Sequence, residues 1–309
     1  MRIAIIGRSE LLFRTAERLR SEGHDIALVV TSKAAPEYTV SHESFEKFAG
    51  EIGAEYIYSS SIGDKEIQKI AESEQIELAV SVNHPTIITD EVVHLFSLGI
   101  LNAHGGDLPR YRGNACQAWA LINGEDRIGL CIHKMIGGEL DAGDIISRDY
   151  LKVDINTRIG QVSEWMAARI PELFAQAVDS LAASPAFILE RQSKALEDAL
   201  RCYPRRPEDG RIDWNAANDH VLRLVNASSE PFSGAFAFYN NERFVVWRAE
   251  IEGDDERYLA VPGQVASINK DGSIVVICGS GKLRITEAEY SGQRTCPGEI
   301  IRSIRQRLT

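Results

Sequence analysis

Short apolar runs alternate with helical patterns through the first half of the chain, and nothing else in it limits the fold so strictly. Residues 2–7, 26–31, 54–58, 78–82 and 100–103 are rich in Ile, Val, Leu, Tyr and Ala, as strands covered on both faces are. The segments between them, about 9–22, 42–52, 63–74 and 90–97, space their apolar residues at the period of an amphipathic helix. Repeating strand and helix in this order means parallel strands joined by helical crossovers, so the spacing predicts an α/β fold with a Rossmann-like parallel sheet. The first strand ends at Gly7, but no G-x-G-x-x-G follows it, and a bound dinucleotide is not expected.

The pattern changes further along. A short helix follows residue 114, then strands at about 128–136 and 144–153. A long helix over about 157–183 carries Ile159, Val162, Met166, Ile170, Phe174 and Ala177 on one stripe, which reads as core. Near residue 200 the composition shifts to the Pro- and charge-rich connector Tyr203-Pro-Arg-Arg-Pro-Glu-Asp-Gly210. Beyond it, after a helix to about 226, lie runs at 234–239, 243–250, 263–269, 273–278 and 282–289. Asp271-Gly272 and Gly279-Ser-Gly281 supply turns between them, as in a small antiparallel β-barrel of OB-like type. Two domains are expected, residues 1–200 and 201–309, consistent with 309 residues and 44% hydrophobic content.

The net charge of −11 disfavours a polyanionic partner. Residues 203–309 hold 14 Lys and Arg against 15 Asp and Glu, so even the second half offers no basic track for nucleic acid. The cysteines at 116, 131, 202, 278 and 296 form no C-x-x-C pair, so neither a zinc site nor a disulfide framework is expected, and no metal is assigned. Met1–Gly7 reads as a strand rather than a signal peptide, and no run reaches the roughly 20 apolar residues of a membrane span. The expectation is a cytoplasmic protein with no membrane partner.

The chemistry is concentrated in Leu101-Asn-Ala-His-Gly-Gly-Asp-Leu-Pro-Arg-Tyr-Arg-Gly113 and Glu139-Leu-Asp-Ala-Gly-Asp144. Asn102 and His104 are two apart, so an extended strand puts both on one face. The glycines after His104 let the chain turn closely around a ligand, and Pro109 stiffens the exit. A carboxamide that donates to a developing oxyanion, an imidazole that moves a proton and a distant Asp141 that orients it make a set suited to acyl transfer.

With these residues in this context, the chain resembles the 10-formyltetrahydrofolate-dependent formyltransferases, and the likeness covers nearly its whole length. Ser81 to Arg112 is similar to the family's folate loop, strand and active-site loop. Asp141-Ala-Gly-Asp144 is similar to its Asp-x-Gly motif, and Arg205–Gly210, Asp213-Trp214 and Pro231–Ala235 to its linker and the start of its C-terminal β domain. The resemblance is strongest to the sugar-nucleotide N-formyltransferases. It implies a catalytic trio of Asn102, His104 and Asp141, acting on a tetrahedral intermediate formed when an amine attacks the formyl carbon of 10-formyltetrahydrofolate. Asp141 would fix the His104 imidazole and raise its pKa.

The resemblance also implies folate contacts from Thr86, Ile87, Ile88 and Asn114 and from Gly137, Gly138, Glu139, Leu140 and Asp141. Arg110 and Arg112 could pair with acceptor phosphates. The implied acceptor is a small-molecule sugar nucleotide with a deoxy-amino sugar, of the kind used for bacterial lipopolysaccharide and O-antigen. Formylation of methionyl-tRNA and hydrolysis of the formyl donor are the alternatives. Gly106 and Asp107 stand where relatives carry Ser and Leu. The β domain has two open roles, a homodimer face or a second binding surface.

Overall fold

Five expected strands form as β1 (Arg2–Gly7), β2 (Asp25–Thr31), β3 (Glu55–Tyr58), β4 (Leu78–Val82) and β5 (Ile100–His104), hydrogen-bonded in the order β3-β2-β1-β4-β5 with every pair parallel. The structure is a computed structural model in which residues 1–35, 38–61, 65–86, 88–253 and 256–309 are described. The crossovers are α1 (Glu10–Ser21), α2 (His42–Ile52), α3 (Lys65–Ser73) and α4 (Asp90–Val93). Strand alternation divides the core between the two faces. Ile3 and Ile5 of β1 join one buried cluster with Leu12, Leu19, Phe45 and Phe174, while Ala4 and Ile6 join another with Ile67, Ile76 and Phe96.

The fourth helix is shorter than its apolar pattern predicts. After Val93 the bonds tighten to the i→i+3 type (Leu95 to Val92, Phe96 to Val93, Gly99 to Phe96), and Gly99 at φ 80° ends the turn.

The sheet is not wholly parallel. β7 (Arg127–Lys134) lies antiparallel to β5, and β8 (Ile145–Lys152) extends the sheet to seven strands. The chain divides into two compact units, one of residues 1–113, 129–150 and 164–201, the other of residues 114–128, 151–163 and 202–309. The connection after β5 runs into the second unit instead of returning along a helix, so β7 enters from the opposite end. The two-residue strands β6 (Arg112–Gly113) and β9 (Arg201–Cys202) mark the passages between the units. The expected stripe on α6 (Ile159–Ala183) is core: Ile170, Phe174 and Ala177 are buried in the first unit and Met166 packs against the same cluster.

In the second unit α5 (Cys116–Asn123) and α7 (Asn218–Ser228) accompany an antiparallel sheet. Its order is β10 (Ala235–Tyr239), β11 (Glu242–Glu252), β14 (Lys282–Tyr290), β13 (Ile274–Ile277), β12 (Val265–Ile268), with β15 (Gln293–Thr295) on β14. Asn240 and Asn241 both take positive φ in the β10–β11 hairpin, as a two-residue turn of matching twist demands. The terminal residues close the sheet. Thr309 exchanges both main-chain bonds with Phe238 of β10, Leu308 N–H donates to Gly263, and Val265 of β12 donates to Gln306. The α8 turn (Pro297–Ile300) precedes this tail. No described helix is long and apolar enough to cross a membrane.

Candidate active site

The strand order reverses beside β1, and in open α/β sheets ligands bind beyond the carboxyl ends of the strands at such a point. β5 carries Asn102 and His104 to that end. Asp141 comes from the loop after β7, with its backbone held at φ 49°, and its carboxylate Oδ2 lies 3.4 Å from His104 Nδ1. The structure therefore brings the three expected residues together within the first unit.

A fourth residue belongs with them. The antiparallel register pairs Asn102 with His133 of β7, and cross-strand partners share a face. His133, 1% exposed, places its Nε2 3.3 Å from Asn102 Nδ2 and 3.5 Å from Asp141 Oδ1. Its Nδ1 faces the Lys134 carbonyl at 2.9 Å. A carbonyl only accepts, so Nδ1 carries the proton, and in the neutral ring Nε2 accepts from the Asn102 amide. This fixes which end of the carboxamide faces inward. A charged ring would instead donate to Asp141.

The same reasoning sets the tautomer of His104. Its Nε2 lies 2.6 Å from the carbonyl oxygen of Tyr111 and must donate to it, which leaves Nδ1 facing Asp141. Tyr111 holds φ at 55° and is 2% exposed. Residues in this region cost about 1–3 kcal/mol each and gather where function requires them.

Gly106 makes the contact with Tyr111 possible. A Cβ there would lie 2.3 Å from the Tyr111 oxygen and 2.5 Å from His104 Nε2, so the serine of relatives does not fit this geometry. Cys131 assists by donating its thiol hydrogen to the Gly106 carbonyl at 3.4 Å, and burial pushes that thiol up to about 11, keeping it protonated.

Asp141 raises the His104 pKa as expected, but a larger effect opposes it. Burial lowers the pKa of His104 by more than the Asp141 charge and the Tyr111 carbonyl raise it, so the resting imidazole is neutral. For Asp141, burial acts to raise the pKa. Protonated histidines, with His133 then donating to the carboxylate, and the Gly113 N–H outweigh it and hold the carboxyl at about 2. We expect the His104 ring to be less than half protonated at pH 6.5, where a free histidine is half protonated. Ring nitrogen shifts in a pH titration of labelled protein check this, and a midpoint at or above 6.5 contradicts it.

Asp107 is also accounted for. Its Oδ1 faces Arg148 Nη1 at 3.4 Å and accepts from the Tyr150 hydroxyl at 3.1 Å, while Arg148 also donates to Tyr150 and to the Leu108 carbonyl. The carboxylate is engaged within its own unit and ties the His104 loop to β8. Breaking this half-buried pair with Arg148→Met is expected to lower the unfolding free energy by about 3 kcal/mol. The double variant Arg148→Met/Asp107→Leu should recover part of the loss in urea unfolding.

The other expected ligand residues separate into groups. Ile88 is buried, and its carbonyl accepts from Gly138 N–H at 3.3 Å, joining Ile88 to the 136–141 loop. Gly137 is pressed against the start of α4: its N–H donates to Asp90 Oδ1 at 2.9 Å, and a Cβ would lie 2.0 Å from Asp90 N. Gly138, Glu139 and Leu140 are exposed beyond it, and Thr86 is exposed with its hydroxyl on the Ser60 carbonyl. Ile87 lies outside the described residues.

Arg112 faces inward. Its Nη2 donates to Gln192 Oε1 at 3.0 Å, and Gln192 in turn donates to the carbonyls of Asp141 and Gly143. Arg112 therefore supports the Asp141 turn, which corrects its expected place as a phosphate-facing donor. Arg110 is exposed, with its guanidinium over the Tyr111 ring. Asn114 is exposed in the second unit, where its N–H donates to the Cys202 carbonyl.

His84 lies in the loop after β4, partly buried. Its Nδ1 lies 3.1 Å from the Thr86 carbonyl, to which it donates, with the Thr86 N–H 3.3 Å away. Its Nε2 is buried with no hydrogen-bond partner among the described residues, and burial lowers its pKa.

Comparison with known proteins bears on this arrangement. A family profile described as "Formyl transferase" matches residues 1–178, and one described as "Formyl transferase, C-terminal domain" matches residues 205–305. The chain is 27% identical over 297 residues to a methionyl-tRNA formyltransferase of Acetivibrio thermocellus, covering 95% of this chain and 93% of that protein. Among solved structures it shares the fold of an N-formyltransferase from Helicobacter canadensis, in complex with folinic acid and dTDP-3-aminofucose. The TM-score is 0.66 at 13% identity, over 92% of this chain and 98% of that one. It also shares the fold of HypX from Aquifex aeolicus in complex with tetrahydrofolic acid, with TM-score 0.59 and 18% identity. There the match covers 97% of this chain but only 46% of HypX, so the chain spans about half of that protein. With both parts of its length matched in order, and a carboxamide, an imidazole and a carboxylate converging at the end of β5, this chain belongs to the formyl transferase family.

Proposed function

We propose that this chain transfers the formyl group of 10-formyltetrahydrofolate to the amine of a nucleotide-linked deoxy-amino sugar of the kind used in surface polysaccharides. Residues 1–200 carry the chemistry. The observation that supports a small acceptor is charge: the chain is at −11 overall and residues 203–309 are near balance, whereas a protein that grips tRNA neutralises many phosphates. The H. canadensis structure, which holds a folate and an amino-sugar nucleotide, is in keeping with this reading.

The residues present fit the donor. The buried, unpartnered Nε2 of His84 and the backbone of Thr86, Ile88 and Gly137 to Leu140 offer hydrogen-bonding edges to a flat heteroaromatic ring. When bound, the donor supplies an activated formyl group. Asn102 Nδ2, with one hydrogen held by His133, directs the other at the oxygen on which charge develops. His104 Nδ1 takes the amine proton and later returns it to the leaving nitrogen. Asp141, ionised at any working pH, stabilises the imidazolium while it lasts.

The test is tetrahydrofolate release with 10-formyltetrahydrofolate and each of a panel of dTDP-, UDP- and GDP-linked amino sugars, beside methionyl-tRNA under identical conditions. A formylated sugar nucleotide is expected. The second reading, formylation of methionyl-tRNA, rests on the 27% identity to the Acetivibrio thermocellus enzyme. Formyl-methionyl-tRNA as the dominant product would overturn the first reading, and release independent of any amine would mark a hydrolase.

A further inference from the structure

Beyond α6 the chain turns back along the start of β8, within the first unit. Ile145 and Glu190 form an antiparallel bridge and exchange main-chain hydrogen bonds at 2.9 and 3.1 Å. Two residues further along, antiparallel geometry sets Gln192 opposite Gly143, in the turn that carries Asp141. Gln192 is 7% exposed, and a carboxamide buried to that degree needs partners for its polar groups.

Its partners converge on the Asp141 turn. Nε2 donates to the Asp141 carbonyl at 3.0 Å and to the Gly143 carbonyl at 2.6 Å, while Oε1 accepts from Arg112 Nη2 at 3.0 Å. Carbonyls only accept and a guanidinium only donates, so the orientation of the amide is forced. The Gln192 main-chain N–H adds a bond to Asp144 Oδ1 at 3.3 Å. The position asks for two donors and one acceptor on a single planar group. Glutamate lacks the donors and lysine lacks the acceptor.

Asp141 needs such a hold. Its φ of 49° is a left-handed backbone that a residue other than glycine keeps only where its surroundings impose it. Glu139 and Leu140 before it are exposed, so the turn draws little from the apolar core. Its carboxylate accepts the Gly113 N–H at 2.9 Å and faces His104 Nδ1 at 3.4 Å. Releasing the Asp141 carbonyl would free the backbone from which that carboxylate projects.

We propose that Gln192 is a positioning residue for formyl transfer, whose two amide hydrogens hold the Asp141 turn so that the carboxylate stays on His104. This role rests on transfer through His104 and Asp141, and not on which amine accepts the formyl group.

The test compares two variants of the full chain. Gln192→Met removes all three side-chain bonds, whereas Gln192→Glu keeps the acceptor for Arg112 and removes only the donors. In both, the Gly113 amide is expected to exchange with solvent about tenfold faster or more, while the amides of β1 keep the parent rate. The turnover number, measured with 10-formyltetrahydrofolate and the acceptor that the parent formylates fastest, should fall about tenfold or more with little change in KM for the donor. In an Asp141→Ala background Gln192→Met should cost no more than about twofold, because residues that act as a unit do not add. Gly113 exchange at the parent rate in both variants would overturn the proposal. So would equal acceleration of the β1 amides, parent-like behaviour of Gln192→Glu, or an undiminished penalty in the Asp141→Ala background. The exchange is read without substrate, so a failure there is distinct from a failure to find a formylated acceptor.

Discussion

In a His104→Ala variant the formyl-transfer turnover number is expected to fall by about 10²–10⁴-fold, the range for a positioned acid–base group. Asn102→Ala should cost about 10²–10³-fold, as loss of an oxyanion donor does. Neither change should unfold the protein, since Asn102 is half-buried and neither side chain is among the large buried apolar groups of the sheet. His133→Leu separates orientation from mere presence. It leaves the Asn102 amide in place but removes the acceptor 3.3 Å away that orients it. The turnover should drop by an intermediate factor, and the same change in an Asn102→Ala background should cost little more, because residues that act as a unit do not add. Steady-state kinetics with melting temperatures check all three, and near-normal turnover in His104→Ala would end the mechanism.

The second large effect is expected from Gly106→Ser, although it restores the residue that relatives carry. The added Cβ would fall within 2.5 Å of both the Tyr111 oxygen and His104 Nε2, both backed by buried structure. Either the loop shifts or the His104–Tyr111 hydrogen bond breaks. Overpacking of this kind typically costs about 1–3 kcal/mol. The loss of imidazole placement should lower turnover by at least tenfold, since small displacements at a reacting centre are costly. Relaxed ring-nitrogen shifts of His104 alongside a reduced kcat would confirm the cause. Unchanged kinetics would show that the loop absorbs the side chain.

Much of this organisation is legible in the amino-acid sequence. The strands of the first sheet follow from runs that tolerate burial on two faces, and Asn102 and His104 share a face because strand geometry has period two. Asp141 was reached through its motif. His133 was not legible, because its role depends on β7 running antiparallel to β5. Strand direction there is set by an excursion through another unit, which no local pattern encodes. Gly106 and Asp107 were visible as departures from relatives but not interpretable. Their meaning lies in the Tyr111 carbonyl and the Arg148 guanidinium, whose positions only the fold supplies. Arg112 misled for a related reason: an arginine in a loop looks available until its partner, Gln192, 80 residues away, is known.

The tail that joins β10 to β12 makes the second sheet depend on its last four residues. Phe238, Gly263 and Val265 all direct main-chain groups at residues 306–309. A chain cut at 305 would expose two unpaired strand edges at once, facing each other across the gap the tail had filled. Such edges recruit strands from other molecules. The shortened protein would therefore self-associate, trading an intramolecular seam for an intermolecular one, and the damage would appear first as turbidity and slow sedimenting species rather than as a lower melting point.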